Sequence, residues 1–237
     1  MISITLVSSP THACSYLDEQ LSQTVFVYPP SQLNTAIYSQ LIQQGFRRSG
    51  DDVYIPHCPN CTACIAARLA VCEFKANRSQ ERCRKKNSQT KTVIKPAVFE
   101  QAHYELYIRY QKHRHRGGDM AESSPDDYIN FLSSAWCDTV FVEFLINEQL
   151  VGVAVVDQLN NALSAVYTFF DPEFSDYSLG VYAVLWQIDY AKRQQKDFVY
   201  LGFWIKACQK MAYKSNYQPL QIFRDRQWQN YTTLFPD

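Results

Sequence analysis

No histidine follows His115 in this 237-residue chain, so its second half cannot build a Ser-His-Asp or Cys-His catalytic set of its own. That argues against a hydrolase. No stretch approaches the roughly 20 uncharged apolar residues of a membrane span. The opening Met1-Ile2-Ser3-Ile4-Thr5 has neither the basic segment nor the apolar core of a secretion signal. A cytoplasmic protein with no membrane partner is the expectation. There is no Gly-x-x-x-x-Gly-Lys phosphate loop, no internal repeat and no low-complexity tract. Lysine and arginine are missing altogether from Gly117 to Ala191, where twelve acids stand.

That one-sided stretch shows what the overall charge conceals. Formal net charge is zero, which taken alone speaks against a nucleic-acid partner. Yet from Lys75 to Lys95 there are eight Lys or Arg against one acid, Glu81. Arg109, Lys112, Arg114 and Arg116 extend this block, and Lys206, Lys210, Lys214, Arg224 and Arg226 form a second one. So strong a segregation suits a polyanion partner as well as it suits a solvated face. The apolar content of 46% is that of a folded globular chain.

The pattern predicts an α+β fold. Residues 1–90 read as an irregular, Cys-rich and then basic N-terminal domain, and 91–237 as the second domain. Phe99 to His115 carries apolar residues at helical spacing and stops at Gly117-Gly118; a second helix begins at Ser124-Pro125-Asp126. Thr139–Ile146, Leu150–Asp157 and Ala162–Phe170 read as three strands joined by Asn-containing turns, an antiparallel meander. A helix over Ser178–Arg193, a buried strand at Phe198–Gly202 and a helix at Lys206–Tyr213 follow. This order is that of the acetyltransferase-like (GNAT) fold, with a mixed, mainly antiparallel sheet.

Four segments carry chemistry. Cys58-Pro59-Asn60-Cys61-Thr62-Ala63-Cys64 has the two-residue spacing that lets neighbouring thiolates reach one metal. Cys14 is the first candidate for a fourth ligand, with His57, Cys72 and Cys83 behind it; the competing reading is a set of reduced thiols. Asn77-Arg78-Ser79-Gln80, with Arg82, Arg84, Lys85 and Lys86, suits phosphate neutralisation along an RNA backbone, or equally a solvated charge run. Around Asp171 and Ser178 a strand gives way to a helix, whose free N–H groups favour an anion, although Ser178 also serves as a plain N-cap. In Tyr200–Pro219, a helical Lys206–Lys214 sets three lysines on one face, an arrangement that suits an anion, or else a solvated basic face.

Together these residues resemble the arginyl-tRNA–protein transferase family, specifically its bacterial branch. The matching pieces are Cys14-Ser15-Tyr16, Gly45 to Gly50, Tyr54 to Pro59, Phe74 with Arg78-Ser79-Gln80, Phe170-Asp171-Pro172, Ser178 to Tyr182, and Gly202 to Ile205 with Cys208, Lys210-Met211, Tyr213-Lys214 and Tyr217. They run in family order over nearly the whole chain. The resemblance implies an aminoacyltransferase that uses aminoacyl-tRNA where related folds use acyl-CoA. It acts on acceptor proteins beginning with Asp or Glu, marking them for degradation through an N-degron pathway, and leucine is the amino acid the bacterial branch implies. The sequence departs from eukaryotic relatives in its cysteines: their Cys-x-x-Cys and adjacent cysteines read here as Cys14…Leu17 and His57-Cys58.

Such a reaction needs no cofactor for its chemistry, because the ester is already activated and an α-amine has a pKa near 8. An iron–sulfur cluster or zinc at Cys14, Cys58, Cys61 and Cys64 stays open. For the acceptor carboxylate or the tRNA end the candidates are Arg78, first for the carboxylate, then Lys210 and Lys214. Ser79, Arg82, Lys85, Lys86, Ser178 and Gly180 are assigned to the tRNA side. Asp171 is the candidate to hold the incoming ammonium or to shuttle its proton, and Tyr167 and Tyr213 to hydrogen-bond the leaving ribose hydroxyl. The alternatives are an acyl-CoA N-acetyltransferase and a non-catalytic, metal-dependent RNA-binding module.

Overall fold

The structure is a computed structural model that describes residues 4–114 and 119–231. The predicted helix stop at Gly117-Gly118, with His115 and Arg116, lies outside them. The first 90 residues are not irregular. They form β1 (Thr5–Ser8), β2 (His12–Ala13), β3 (Leu21–Ser22), β4 (Thr24–Tyr28), α1 (Thr35–Leu41), β5 (Arg47–Ser49), β6 (Asp52–Pro56), β7 (Ile65–Ala70) and α2 (Arg78–Lys86). β1, β4, β6 and β5 make a four-stranded antiparallel sheet in that order. The strands are two to six residues long, too short for a period-2 pattern to declare itself. Asn34 starts α1 by accepting the Ile37 N–H at 2.9 Å. Gly50, at φ +57°, turns β5 into β6 where an added Cβ would stand 2.4 Å from the Asn130 carbonyl oxygen; only glycine fits.

The remainder forms β8 (Lys91–Pro96), α3 (Gln101–Arg114), α4 (Pro125–Leu132), β9 (Thr139–Ile146), β10 (Gln149–Gln158), β11 (Ala162–Phe170), α5 (Leu179–Arg193), β12 (Phe198–Trp204), α6 (Gln209–Ala212), β13 (Leu220–Arg224) and β14 (Gln227–Asn230). The meander stands as the sequence implies, with β9, β10 and β11 antiparallel. α5 then crosses over to β12, which lies parallel to β11. One eight-stranded sheet results, in the order β14-β13-β7-β12-β11-β10-β9-β8. This strand–helix–parallel strand return after a meander is the acetyltransferase-like arrangement. The sheet crosses the division at residue 90, since β7 sits between β12 and β13. The expected helix over Lys206–Tyr213 shrinks to the single turn of α6 followed by a 3-10 turn at Tyr213–Asn216. Lys206, Lys210 and Lys214 therefore share no helix face. Lys206 and Lys210 are exposed, whereas Lys214 is buried.

Both faces of the sheet are covered, and alternation along β9 shows how. Val140, Val142 and Phe144 pack with α5, while Phe141 packs with α3 and α4. The N-terminal sheet and α1 cover a third apolar cluster that includes Tyr38, Val53 and Tyr200. Arg48 fastens this part to the main sheet. Its guanidinium donates to Asp157 through Nε at 2.8 Å and also to the carbonyls of Gly50, Leu132 and Ser133 and to Thr139 Oγ1. Both charged side chains are fully buried.

Candidate active site

β11 and β12 pair only from Ala162–Ser164 against Phe198–Tyr200. Beyond that point β11 continues with β10 to Phe170 and β12 with β7 to Trp204, so the two parallel strands part in the middle of the sheet. Arg47 enters the parting. Its Nη2 donates to the Ala165 carbonyl at 2.7 Å, and its guanidinium lies against Gly202, where an added Cβ would meet Nη2 at 3.4 Å. Gly202 has φ +84° at a bulge in β12, so both its conformation and this contact require glycine. Arg47 is 7% exposed, and its Nη1 is buried without a hydrogen-bond partner.

Lys214 lies beside it. The side chain is 3% exposed, donates to the Met211 sulfur at 3.6 Å and sits 4.7 Å from the Tyr213 ring centre. Burial, and secondarily the Arg47 charge, push its pKa down to about 7. Two cations thus share a buried site at the strand parting, and no ion pair among the described residues includes either.

An aromatic wall adjoins it. Tyr167 on β11 packs against Tyr107, Tyr110 and Phe131, with ring centres 5.5–6.5 Å apart. Gln111 on α3 donates to its hydroxyl at 2.9 Å, which leaves the Tyr167 proton free to be donated elsewhere. Burial pushes the Tyr167 phenol well above its ordinary range. Tyr213 is exposed beside Lys214. Asp171 is buried and already engaged: one oxygen accepts from Arg109 at 3.2 Å and the other from the Glu173 N–H at 3.1 Å. It caps the 3-10 turn Pro172–Tyr177.

A groove of about 220 Å³ lies where α2 meets the start of α5, lined by Ser79, Arg82, Cys83, Lys86, Asp176, Tyr177, Ser178 and Val181. Four predicted residues (Ser79, Arg82, Lys86 and Ser178) converge there. Ser178 adopts the left-handed conformation at φ +51° and places no side-chain cap on α5. α2 holds this turn: Cys83 and Asn87 donate to the Tyr177 carbonyl, Asn87 at 2.8 Å. Gly180 packs against Phe170, whose ring an added Cβ would approach to 3.3 Å. Arg78, Lys85 and Lys210 are exposed and do not line the groove.

The cysteines share one neighbourhood without closing a ligand shell. Cys58 and Cys61 face each other across a backbone bridge. Burial, then Cys58, Cys14, Cys61 and Cys208, push the Cys64 thiol up to about 12. All eight cysteines are free thiols. Among the described residues, the group that brings three donor atoms within 4.8 Å of one another is Glu100, His103 and Glu143, not the cysteines. Lys95 already bridges both of those carboxylates at 2.8 Å.

Arg47 lies in the Gly45-to-Gly50 motif, where the sequence alone assigns it no role. Its importance depends on a carbonyl 118 residues away. The one local signal is two adjacent arginines in a short strand, which alternation sends to opposite sides.

The sequence matches two family descriptions, "Arginine-tRNA-protein transferase, N terminus" over residues 12–82 and "Arginine-tRNA-protein transferase, C terminus" over 102–224. Proteins named aspartate/glutamate leucyltransferase are similar along nearly their whole length. That of Hahella chejuensis is 45% identical over 226 residues, 95% of this chain and 97% of its own. That of Saccharophagus degradans is 48% identical over 224 residues, 94% and 95%. Among solved structures, the C-terminal domain of a putative lysylphosphatidylglycerol synthetase from Agrobacterium fabrum overlaps 60% of this chain and 47% of its own, with a TM-score of 0.46 and 7% identity.

Proposed function

The chain belongs to the arginine-tRNA-protein transferase family, and from that premise we propose that it moves leucine from leucyl-tRNA onto the N-terminal amine of proteins beginning with Asp or Glu, marking them as N-degrons. The observation that carries the reading is the presence of two anion-ready sites: the Arg82–Lys86 groove at the start of α5, and the Arg47–Lys214 site at the strand parting, beside Tyr213. The relatives named aspartate/glutamate leucyltransferase supply leucine and the acidic acceptor. Among the described residues no helix is long and apolar enough to cross a membrane.

The groove takes phosphates at the acceptor end of the tRNA. Arg82 and Lys86 neutralise them, and the uncapped first turn of α5 adds its N–H groups. The ester carbonyl then lies toward the parting. Attack by the neutral α-amine forms the C–N bond, the C–O bond to the ribose breaks, and the proton that the nitrogen sheds replaces the one the leaving ribose oxygen takes up. Tyr167, whose hydroxyl accepts from Gln111, is oriented to donate to oxygen that gains charge, and exposed Tyr213 stands as the donor to the leaving ribose. Asp171 acts through Arg109 and the turn before α5, holding that turn in place.

We further propose zinc or an iron–sulfur group at Cys14, Cys58, Cys61 and Cys64 as a structural addition, with no step of the transfer passing through it. The sulfurs would have to rotate inward to close around it. Near-stoichiometric zinc or iron in anaerobically purified protein, lost in Cys61→Ser, supports this, and metal analysis finding neither element removes it.

The central test is incubation with radiolabelled leucyl- or arginyl-tRNA and a peptide beginning with Asp or Glu. Faster transfer of leucine is expected. Equal or faster transfer of arginine overturns the donor assignment and spares the reaction class. Acetyl-CoA, titrated by calorimetry, is expected to show no binding.

A further inference from the structure

We propose that Arg47 and Lys214 form the pocket that reads the side-chain carboxylate of the acceptor's first residue. This rests on the transferase reading above and assigns that reading's specificity to two residues.

Holding the Arg47 guanidinium buried without an acid costs several kcal/mol unless an anion arrives. Arg48, its neighbour, shows the contrast, since every edge of that guanidinium is engaged and an aspartate balances its charge. Arg47 has one buried nitrogen free of any partner. It is also rigid, fixed by the Ala165 carbonyl and packed on Gly202, so little ordering remains when a carboxylate docks. The phenols it reaches electrostatically, Tyr38, Tyr54, Tyr200 and Tyr213, are neutral.

A carboxylate suits the pocket. Arg47 offers it a fixed guanidinium with Nη1 free, and Lys214, whose pKa burial lowers to about 7, takes up a proton as the anion arrives. Position agrees through Tyr213, whose ring centre lies 4.7 Å from Lys214 Nζ and which Arg47 also reaches electrostatically. An Asp or Glu side chain held by Arg47 and Lys214 therefore places its α-amine on the Tyr213 side of the pocket.

The test uses the full chain, leucyl-tRNA, and peptides that differ only in beginning with Asp, Glu, Asn or Gln. Because Arg47→Gln also removes the prop at Ala165 and could unfold the site, Lys214→Gln and Lys214→Glu are measured beside it. Lys214→Gln is expected to lower kcat/KM for Asp and Glu peptides by roughly 10- to 100-fold, mainly through KM, as loss of a charged hydrogen bond does. Transfer to Asn peptides and affinity for leucyl-tRNA should stay within about 2-fold of the parent at this level of effect. Lys214→Glu should lower the acidic peptides further. Calorimetry of the peptides without tRNA reads the pocket even if no leucine moves, so absence of transfer sinks the parent reading alone. An unchanged Asp-to-Asn ratio in Lys214→Gln overturns the proposal. So does a loss confined to tRNA affinity, which would place a tRNA phosphate on these two cations.

Discussion

Arg47 and Lys214 are buried where a simple core would hold apolar side chains, and that has a measurable consequence for stability. In the unfolded chain a lysine keeps its proton to its ordinary value of 10.5, whereas Lys214 in the native protein releases it at about 7. Between these values the unfolded state binds more protons, so stability rises with pH across that window and is flat below it. Lys214→Met keeps the length of the side chain and removes the charge. It should stabilise the protein at pH 7 by about 1–3 kcal/mol, as replacing buried charges by apolar groups does, while transfer to acidic peptides is lost. Urea midpoints at pH 6.5 and 9 check this, since the rise with pH in the parent should shrink in the variant. A variant less stable than the parent at pH 7 would show that Lys214 supports the fold. Arg48→Met should behave in the opposite way. It strands Asp157, which is 0% exposed, and should cost about 3–5 kcal/mol. Two adjacent residues of the same type thus divide between binding and holding the fold together.

At the scale of elements, α2 and α5 frame the tRNA-facing groove, and α2 can be tested with its own internal control. Arg82 and Lys86 line the groove while Lys85, between them in sequence, does not. Each alanine replacement of a groove cation should flatten the slope of log affinity for leucyl-tRNA against log salt by roughly 0.7 to 0.9. Lys85→Ala should change it less. Equal slopes for all three variants would make α2 an ordinary solvated helix. Which elements were legible follows from how they are covered. The strands of the meander run eight to ten residues between clear turns, and α5 is long enough to show its period, so both read directly from the sequence. β7 does not, because Ile-Ala-Ala-Arg-Leu-Ala holds a single β-branched residue, Ile65, and no aromatic one to mark a strand. Its place is set by partners more than a hundred residues later. The groove residues were legible as members of a dense basic run, but that run includes Lys85 as well, and only the helix of α2 turns Arg82 and Lys86 into the groove and Lys85 out of it. The Arg47 site was not, because the parting of β11 and β12 exists only once the sheet has formed.

For the molecule as a whole, the position of β7 decides whether the two halves of the sequence are separable. Residues 91–237 alone would keep the meander, α5, β12 and the β13–β14 hairpin, but nothing would join β12 to β13. β7 makes six pairings with β12 and three with β13, and it buries Ala67 and Leu69 in the main core. Removing it exposes the unpaired edge of β12 in the centre of the sheet, where Val199 and Leu201 are buried. The cover from α2 is lost as well, with Cys83 and Phe74 of the same cluster. Arg48, the fastening to Asp157, goes too, leaving a fully buried aspartate without its cation. A fragment 91–237 should therefore lack a cooperative thermal transition and bind a hydrophobic dye. A fragment beginning at about residue 62, which restores β7 and α2, should recover secondary structure but remain destabilised by the unpaired Asp157. The full chain should unfold in urea as one transition when followed by far-ultraviolet circular dichroism and by tryptophan fluorescence together. A cooperatively folded 91–237 fragment, or two separated transitions in the full chain, would show that the halves are independent and that β7 is an accessory to a sheet already complete without it.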